Sequence, residues 1–508
     1  MTAAGGGGPA LGRLGYGPWL ALYIVLFFGL HLAFVHAAGV DDVAETIFAQ
    51  SLQWSYWERQ PPLYTWLLWA VYQTAGVSVV SLFLLRYALV TVILVFYYLC
   101  ARRLVADRRL VLLTAFSPLL IYSIGWSAHV GFSNTMVLMA AIMGSFYAFL
   151  RIAQDGSAGA YAGFGAGIAA GLLAKYGFLV FILSLLAAAV LDGALRRRIF
   201  HPRMLLAVAA AALLAGPYLL FGFEGMERVQ PVFNSAMNQY HAESYLANVG
   251  RGFARLFVAV TMFLSPFIVI ALAAFPRAIL DGRTGAPDGF DARRLFERFF
   301  VIVLAILVVG ILFGGVDNYK SRWMHPMLML APLYFFTLVE RAGHTARQAR
   351  FYGGAILVAT VLVAVVFVGQ VTVGPPFCKR CRLLVPYVEL AQQVRQAGFA
   401  GGTIVASDEH LAGNLRLLLA PARVASLGYP FYLPPGPSGA GGQCLVAWNA
   451  RLGDEVPSRM MRFLEESFGV RLESNTPTGF LSATHRSSRD ATIRIGYVLL
   501  DPGQGRCR

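Results

Sequence analysis

Acidic residues are scarce in this chain, yet Asp41, Asp42 and Glu45 fall within five positions of one another. At i and i+4, Asp41 and Glu45 would share one face of a helix, with Asp42 beside it. Carboxylates grouped in this way suit proton abstraction or the holding of a divalent metal ion. The plainer reading is a solvated helix start capped by Asp. Farther on, Glu58, Arg59 and Gln60 precede Pro61-Pro62, a pair that stiffens the chain behind them. A second segment, Asp317 to Pro326, carries Tyr319, Lys320, Arg322 and His325. Lys and Arg bind phosphate through charge-assisted hydrogen bonds, so this segment reads as a clamp for an anionic lipid headgroup. Snorkelling anchors around Trp323 are the alternative. The third feature is Lys175 in Leu173-Ala174-Lys175-Tyr176-Gly177, a cation between two apolar half-helices, costly there unless paired or functional. His129 and Asn134 are weaker candidates, since either would equally cap a helix.

The elements that must position these groups are membrane spans. Of 508 residues, 57% are hydrophobic and only 13% are charged, against about 25% in soluble domains. A simple soluble enzyme and a disordered chain are both excluded. The net charge of +15 lies in short stretches between apolar runs, which is how a membrane protein fixes its orientation. No zinc spacing, RNA-binding aromatic signature or continuous basic helix accompanies it, so nucleic acid is not a partner.

Apolar runs at 18–36, 79–99, 110–124, 134–150, 161–174, 177–191, 204–222, 255–280, 299–314, 323–339 and 351–373 read as spans of an α-helical polytopic membrane protein. That makes about 11 spans, with 11–13 possible because aromatic segments such as 62–76 can dip into the membrane. The short pair at 161–174 and 177–191 counts as two crossings. Basic loops at Arg102, Arg103, Arg108 and Arg109 and at Arg196, Arg197 and Arg198 need an even number of spans between them. Loops with Arg283, Arg293, Arg294 and Arg298 and with Arg341, Arg347 and Arg350 fall on the same side. The expectation is a multi-pass protein of the bacterial inner membrane, with a cytoplasmic N-terminus. Residues 1–17 form a flexible cytoplasmic tail before an uncleaved first span, and 18–375 form the membrane domain. Residues 37–78 make its first periplasmic loop.

Residues 376–508 read as a small periplasmic α/β domain. Strands are expected at Thr403–Ala406, Arg423–Leu427, Cys444–Trp448 and Thr492–Leu500. A helix capped by Ser407 or Asp408 carries Leu411, Leu415 and Leu418 on one face. Four of the five cysteines, Cys378, Cys381, Cys444 and Cys507, lie in this domain, and an even set in an exported domain reads as disulfides. Cys378-Lys-Arg-Cys381 also has the spacing of a redox pair or half a zinc site, but no second half completes it.

An acidic pair after the first span, a PP-L motif in the same loop, Lys-Tyr-Gly at 175–177 and Lys-x-Arg-Trp-x-x-Pro at 320–326 together resemble a family. These motifs resemble polyprenyl-phosphate-sugar-dependent glycosyltransferases of the GT-C fold. Their closest counterparts in pattern are the protein mannosyltransferase class, including lipid A aminoarabinose and galacturonic acid transferases. The resemblance implies that Asp41 is the catalytic base with Asp42 as neighbour, and that Lys320 and Arg322, with Lys175, bind the donor phosphate. Glu45, Glu58, Arg59, Gln60, Tyr319 and His325 are the implied substrate contacts. In this chain Gln60 stands directly before the proline pair, where family members often carry an acidic or basic residue. No cofactor is implied with certainty; a divalent metal on Asp41, Asp42 and Glu58 stays open. The implied partners are a polyprenyl-phosphate-linked sugar, a lipid or glycan acceptor (lipid A, another envelope lipid, a polysaccharide or a protein) and membrane lipids. A transporter or flippase of lipid-linked saccharides is the alternative; it predicts inverted repeats and midplane polar residues, neither of which the sequence shows.

Overall fold

In the computed structural model of the chain, the described residues are 15–507, apart from 57–59, 132, 224–230, 232–236, 238–243, 283–290, 380, 437–441, 474–475, 487–491 and 502–505. Seven described helices are long and apolar enough to cross a membrane. They are α1 (Tyr16–Phe34), α4 (Val79–Leu104), α6 (Ser133–Gln154), α9 (Met204–Phe221), α10 (Tyr245–Leu264), α12 (Ala292–Leu312) and α14 (Ala346–Thr372). Between them lie α2 (Val40–Phe48), α3 (Leu63–Ala75), α5 (Arg108–Phe116), α7 (Ala158–Ala174), α8 (Phe178–Val190), α11 (Phe267–Ala274) and α13 (Ala331–Ala342).

The count differs from the expected eleven where proline interrupts an apolar run. The run 110–124 is nine-residue α5 followed by a 3₁₀ turn at Ser117–Leu120 that carries Pro118. At 1.5 Å per residue α5 alone covers about 13 Å, less than half of a hydrocarbon core. The run 255–280 breaks at Pro266 between α10 and α11, and 323–339 is divided into a turn at His325–Leu328 and α13. Such breaks follow from the lost N–H donor and the ring clash of proline. The pair around Lys175 is two helices, and α8 meets the short helix Gly193–Ile199 at a bend of 120°. Helix α1 begins at Tyr16, and the expected tail lies mostly outside the described residues, which exclude 1–14.

Leu213, Leu220, Val301, Leu304, Leu357 and Leu362 are at least half exposed on α9, α12 and α14. An apolar surface of that extent is a face for hydrocarbon. The expected inner loops are tied together at one end of the bundle. The Ala106 and Asp107 amides donate to Glu340, Arg103 donates to Gln154, Arg298 to Asp192, and Arg341 to Asp291. Helix α4 runs from there to the opposite end, where α2 lies.

The C-terminal domain holds a five-stranded sheet of order β2-β1-β3-β5-β4, formed by β1 (Gly402–Ala406), β2 (Arg423–Ser426), β3 (Gln443–Asn449), β4 (Gly479–Thr484) and β5 (Thr492–Leu500). Strand β1 runs parallel to β2 and β3, while β5 is antiparallel to β3 and β4. Of the five, β4 was not read from the sequence. Helices α15 (Tyr387–Gln396), α16 (Glu409–Leu418) and α17 (Ser458–Phe468) cover the sheet. Asp408 caps α16 by accepting from the Leu411 amide. Cys378 is bonded to Cys381, and Cys444 to Cys507.

Helix α2 is shared between the two parts of the molecule. Ala44, Ile47 and Phe48 join Leu390, Leu411 and Leu415 in one apolar core. Gly413 of α16 lies so close to α2 that a Cβ there would meet the Val43 backbone and side chain below 3 Å. The Ala38 amide donates to Asn414, the Tyr432 hydroxyl donates to the Phe48 carbonyl, and the Gln50 amide accepts from the Val424 N–H while donating to its carbonyl.

Candidate active site

Helix α2 follows its N-cap Gly39 and has Asp41 and Asp42 in its first turn, where the partial positive charge of a helix N-terminus favours carboxylates. The three acids then take different environments. Asp42 turns inward, 4% exposed, and its Oδ2 lies 2.6 Å from Nη2 of Arg86 on α4. Ser133 donates to its other oxygen at 3.2 Å. Arg86 also donates to the His129 carbonyl at 2.5 Å, so one guanidinium ties α2, α4 and the loop before α6 together. A buried pair of this kind fixes geometry more than it adds stability.

Glu45 is buried as well. Its two oxygens accept from Thr65 and Asn134, each at 2.5 Å, and burial pushes its pKa up to about 7 despite those hydrogen bonds. Asp41 stays exposed at the surface, close enough to act electrostatically on Glu45 and Lys175.

Below Arg86 the polar network continues. His129 is completely buried; its ring bonds the hydroxyls of Tyr23 and Tyr87 and stacks on Phe27 at 3.9 Å between centroids. His31 bridges the Phe27 and His129 carbonyls. Desolvation and the neighbouring Arg86 hold His129 well below the usual imidazole range, so it is neutral.

Lys175 sits in extended backbone between α7 and α8 and donates to the Thr135 hydroxyl at 3.2 Å. Burial lowers its pKa to about 8; Asp41 partly offsets this, and Arg322 adds to it. Lys320 lies over the Trp323 ring at 5.1 Å and shares its field with Arg322 and Arg255 of α10. Four cations thus converge on the end of the bundle that bears Asp41. His325 is buried beneath them, with Nδ1 at 2.9 Å from the Arg322 carbonyl, and it steadies that turn. Tyr319 faces inward and donates to the Leu307 carbonyl, so it serves α12 rather than the cation cluster.

The fold therefore brings together Asp41, Lys175, Lys320 and Arg322. Asp42, Glu45, His325 and Tyr319 are buried and bonded to neighbouring elements. Gln60 is partly buried, with an Oε1 that has no hydrogen-bond partner among the described residues. Glu58 and Arg59 lie outside the described residues. Among those described, no three His, Cys, Asp or Glu side chains gather to hold a metal, and Asp42 is engaged by Arg86. Arg86, Thr65, Thr135 and Arg255 were not picked out from the sequence. An Arg inside the apolar run 79–99 was the available signal, since such a charge must find a partner.

Residues 59–221 match the family model described as dolichyl-phosphate-mannose-protein mannosyltransferase. Over 95% of its length the chain is 30% identical to the lipopolysaccharide core galacturonosyltransferase RgtB of Rhizobium johnstonii, covering 97% of that protein. It is 27% identical to RgtA of the same organism, with the same name, over 95% of this chain and 96% of that one. The fold matches ArnT from Cupriavidus metallidurans, solved with undecaprenyl phosphate, at a TM-score of 0.62 and 14% identity over 96% of this chain and 98% of that one.

Proposed function

The chain belongs to the GT-C family of polyprenyl-phosphate-sugar-dependent glycosyltransferases, and from that premise we propose that this membrane glycosyltransferase moves a sugar from a polyprenyl phosphate to a lipopolysaccharide acceptor, with Asp41 as general base. The observation that carries the reading is the division among the three carboxylates. Asp42, beside Arg86, and Glu45, beside Thr65 and Asn134, are buried, while Asp41 is exposed within the field of Lys175.

Asp41 takes the proton from an acceptor hydroxyl as its oxygen attacks the anomeric carbon. The bond from that carbon to the phosphate oxygen breaks, and its electron pair leaves with the polyprenyl phosphate. Attack opposite the leaving group inverts the centre. Phosphate charge grows along this path, so Lys175, Lys320 and Arg322 stabilise the transition state more than the bound donor. We assign the site to the periplasmic face of the bacterial inner membrane, with the C-terminal domain on the same side; the support is the Arg asymmetry and the gathering of basic loops at the far end from Asp41. The relatives' names make galacturonic acid the first sugar to test, and they favour a transferase over a transporter.

The test uses purified protein, undecaprenyl-phosphate-linked galacturonic acid and lipopolysaccharide truncated to its inner core. Asp41→Asn should lose about 10²–10⁴-fold in turnover with donor binding retained. Lys320→Ala and Arg322→Ala should each weaken donor use by on the order of 1.5–3 kcal/mol. Wild-type turnover in the Asn variant would sink the base assignment.

A further inference from the structure

A cavity of about 580 Å³ lies against the start of α2 and is lined by none of the four cations above. Its apolar wall comes from Leu362, Val363 and Val366 of α14 together with Tyr122, Trp126 and Phe377. Leu362 is 57% and Tyr122 58% exposed, so the cavity opens sideways at the surface of a helix long enough to span the membrane. Its rim is the short loop closed by the Cys378–Cys381 disulfide, which brings Lys379 and Arg382 to the edge. Among the described residues no acidic side chain lines the cavity and neither cation is in an ion pair. Inside, the side-chain oxygen of Gln370 is buried and accepts no hydrogen bond from a described residue. The inner end is formed by Gly39 and Val130. Gly39 is two residues before Asp41, and the position after Val130, Gly131, lies against the Asp41 carboxylate.

We infer that this cavity is the acceptor's binding site, and that its occupant is an anionic acylated glycolipid entering sideways from the outer leaflet. The apolar wall takes acyl chain, Lys379 and Arg382 take phosphate or sugar carboxylate by charged hydrogen bonds, and Gln370 accepts from a sugar hydroxyl. The separation from Lys175, Lys320 and Arg322 gives the two lipid substrates separate anionic sites. An acceptor seated here reaches Asp41 past Gly39, while the donor phosphate is held at the cation cluster. The word acceptor rests on the transferase reading; the lipid site itself does not.

Direct binding to the full-length protein in detergent, by native mass spectrometry, separates the two. The probes are lipopolysaccharide truncated to its inner core, undecaprenyl phosphate and phosphatidylglycerol. The double variant Lys379→Glu/Arg382→Glu should bind the lipopolysaccharide at least tenfold more weakly and undecaprenyl phosphate as the wild type does. Val363→Trp, which fills the apolar part without changing charge, should do the same, and unaltered melting of either variant shows that it is folded. Lys175→Ala should show the reverse pattern. Unchanged lipopolysaccharide binding in both cavity variants overturns the inference. So does selective loss of undecaprenyl phosphate, which would make the cavity the donor's, or equal loss of phosphatidylglycerol, which would make it a general lipid seat. Lipopolysaccharide binding as expected without sugar transfer would leave this inference standing and defeat the transferase reading.

Discussion

Lys175 and Glu45 are the residues whose environments make their chemistry depend on pH. The folded pKa of Lys175, about 8, lies below its ordinary 10.5. The native state then binds fewer protons than the unfolded chain between these values, so this group's contribution to stability rises with pH across that window. Its ability to hold a phosphate runs the other way, since the free site loses its charge above about pH 8. Donor KM should therefore rise roughly tenfold between pH 7.5 and 9. Lys175→Arg, which stays charged, should flatten that rise; an unchanged profile would remove Lys175 from the donor site. For Glu45 the folded pKa, about 7, lies above the ordinary 4.5, and the native state binds more protons between them. Its contribution to stability falls as pH rises through that window. Glu45→Gln removes the ionisation while Thr65 can turn to accept from the new amide. Its melting temperature should exceed that of the wild type at pH 8 and converge with it near pH 4.5.

At the scale of elements, α2 is a nine-residue helix that would not persist alone. Its apolar side is built into the C-terminal domain through Ile47, Phe48 and the close approach at Gly413. Its acidic side is pinned by Arg86, Thr65 and Asn134 from α4, α3 and α6. The angle of Asp41 is thus set by two bodies of protein at once. Gly413→Ala should push α16 off α2 and destabilise the protein by about 1–3 kcal/mol, the usual effect of overpacking. Turnover should drop further than the folded fraction does, with donor affinity kept. Circular dichroism melting beside kinetics checks this, and a loss of turnover that merely tracks unfolding would remove the positioning role.

For the whole molecule, the orientation proposed above gives single-cysteine labelling a clear expectation. An impermeant thiol reagent applied to intact spheroplasts should label cysteines placed at 320 and in the C-terminal domain, and should miss those at 105, 197 and 345. Labelling at 197 but not at 320 would invert the map. The gathering of Asp107, Glu340 and His344 at one end of the bundle predicts that 105 and 345 behave alike.

Composition alone settles that the chain belongs in a membrane, because 13% charge cannot cover an aqueous surface of this size. Local pattern reaches nearly as far in the C-terminal domain. Alternation gives β1, β2, β3 and β5 within a residue or two, and the Asp408 cap gives the start of α16, since these signals lie within a few neighbouring residues. Strand β4 escaped because Gly479–Thr484 is half exposed at the sheet edge and carries little apolar pattern. Apolar runs likewise outnumber the long continuous helices, since hydropathy does not register how Pro118 or Pro266 interrupts a helix. At the site, residue type and spacing nominate Asp41, Lys175, Lys320 and Arg322. They do not distinguish Asp41 from Asp42 or reveal that Tyr319 turns inward, because those differences come from partners far along the chain. Arg86 lies 44 positions from Asp42, and Asn414 lies 376 from Ala38. Which carboxylate is buried and which is exposed is a matter of tertiary packing, and tertiary structure alone supplies it.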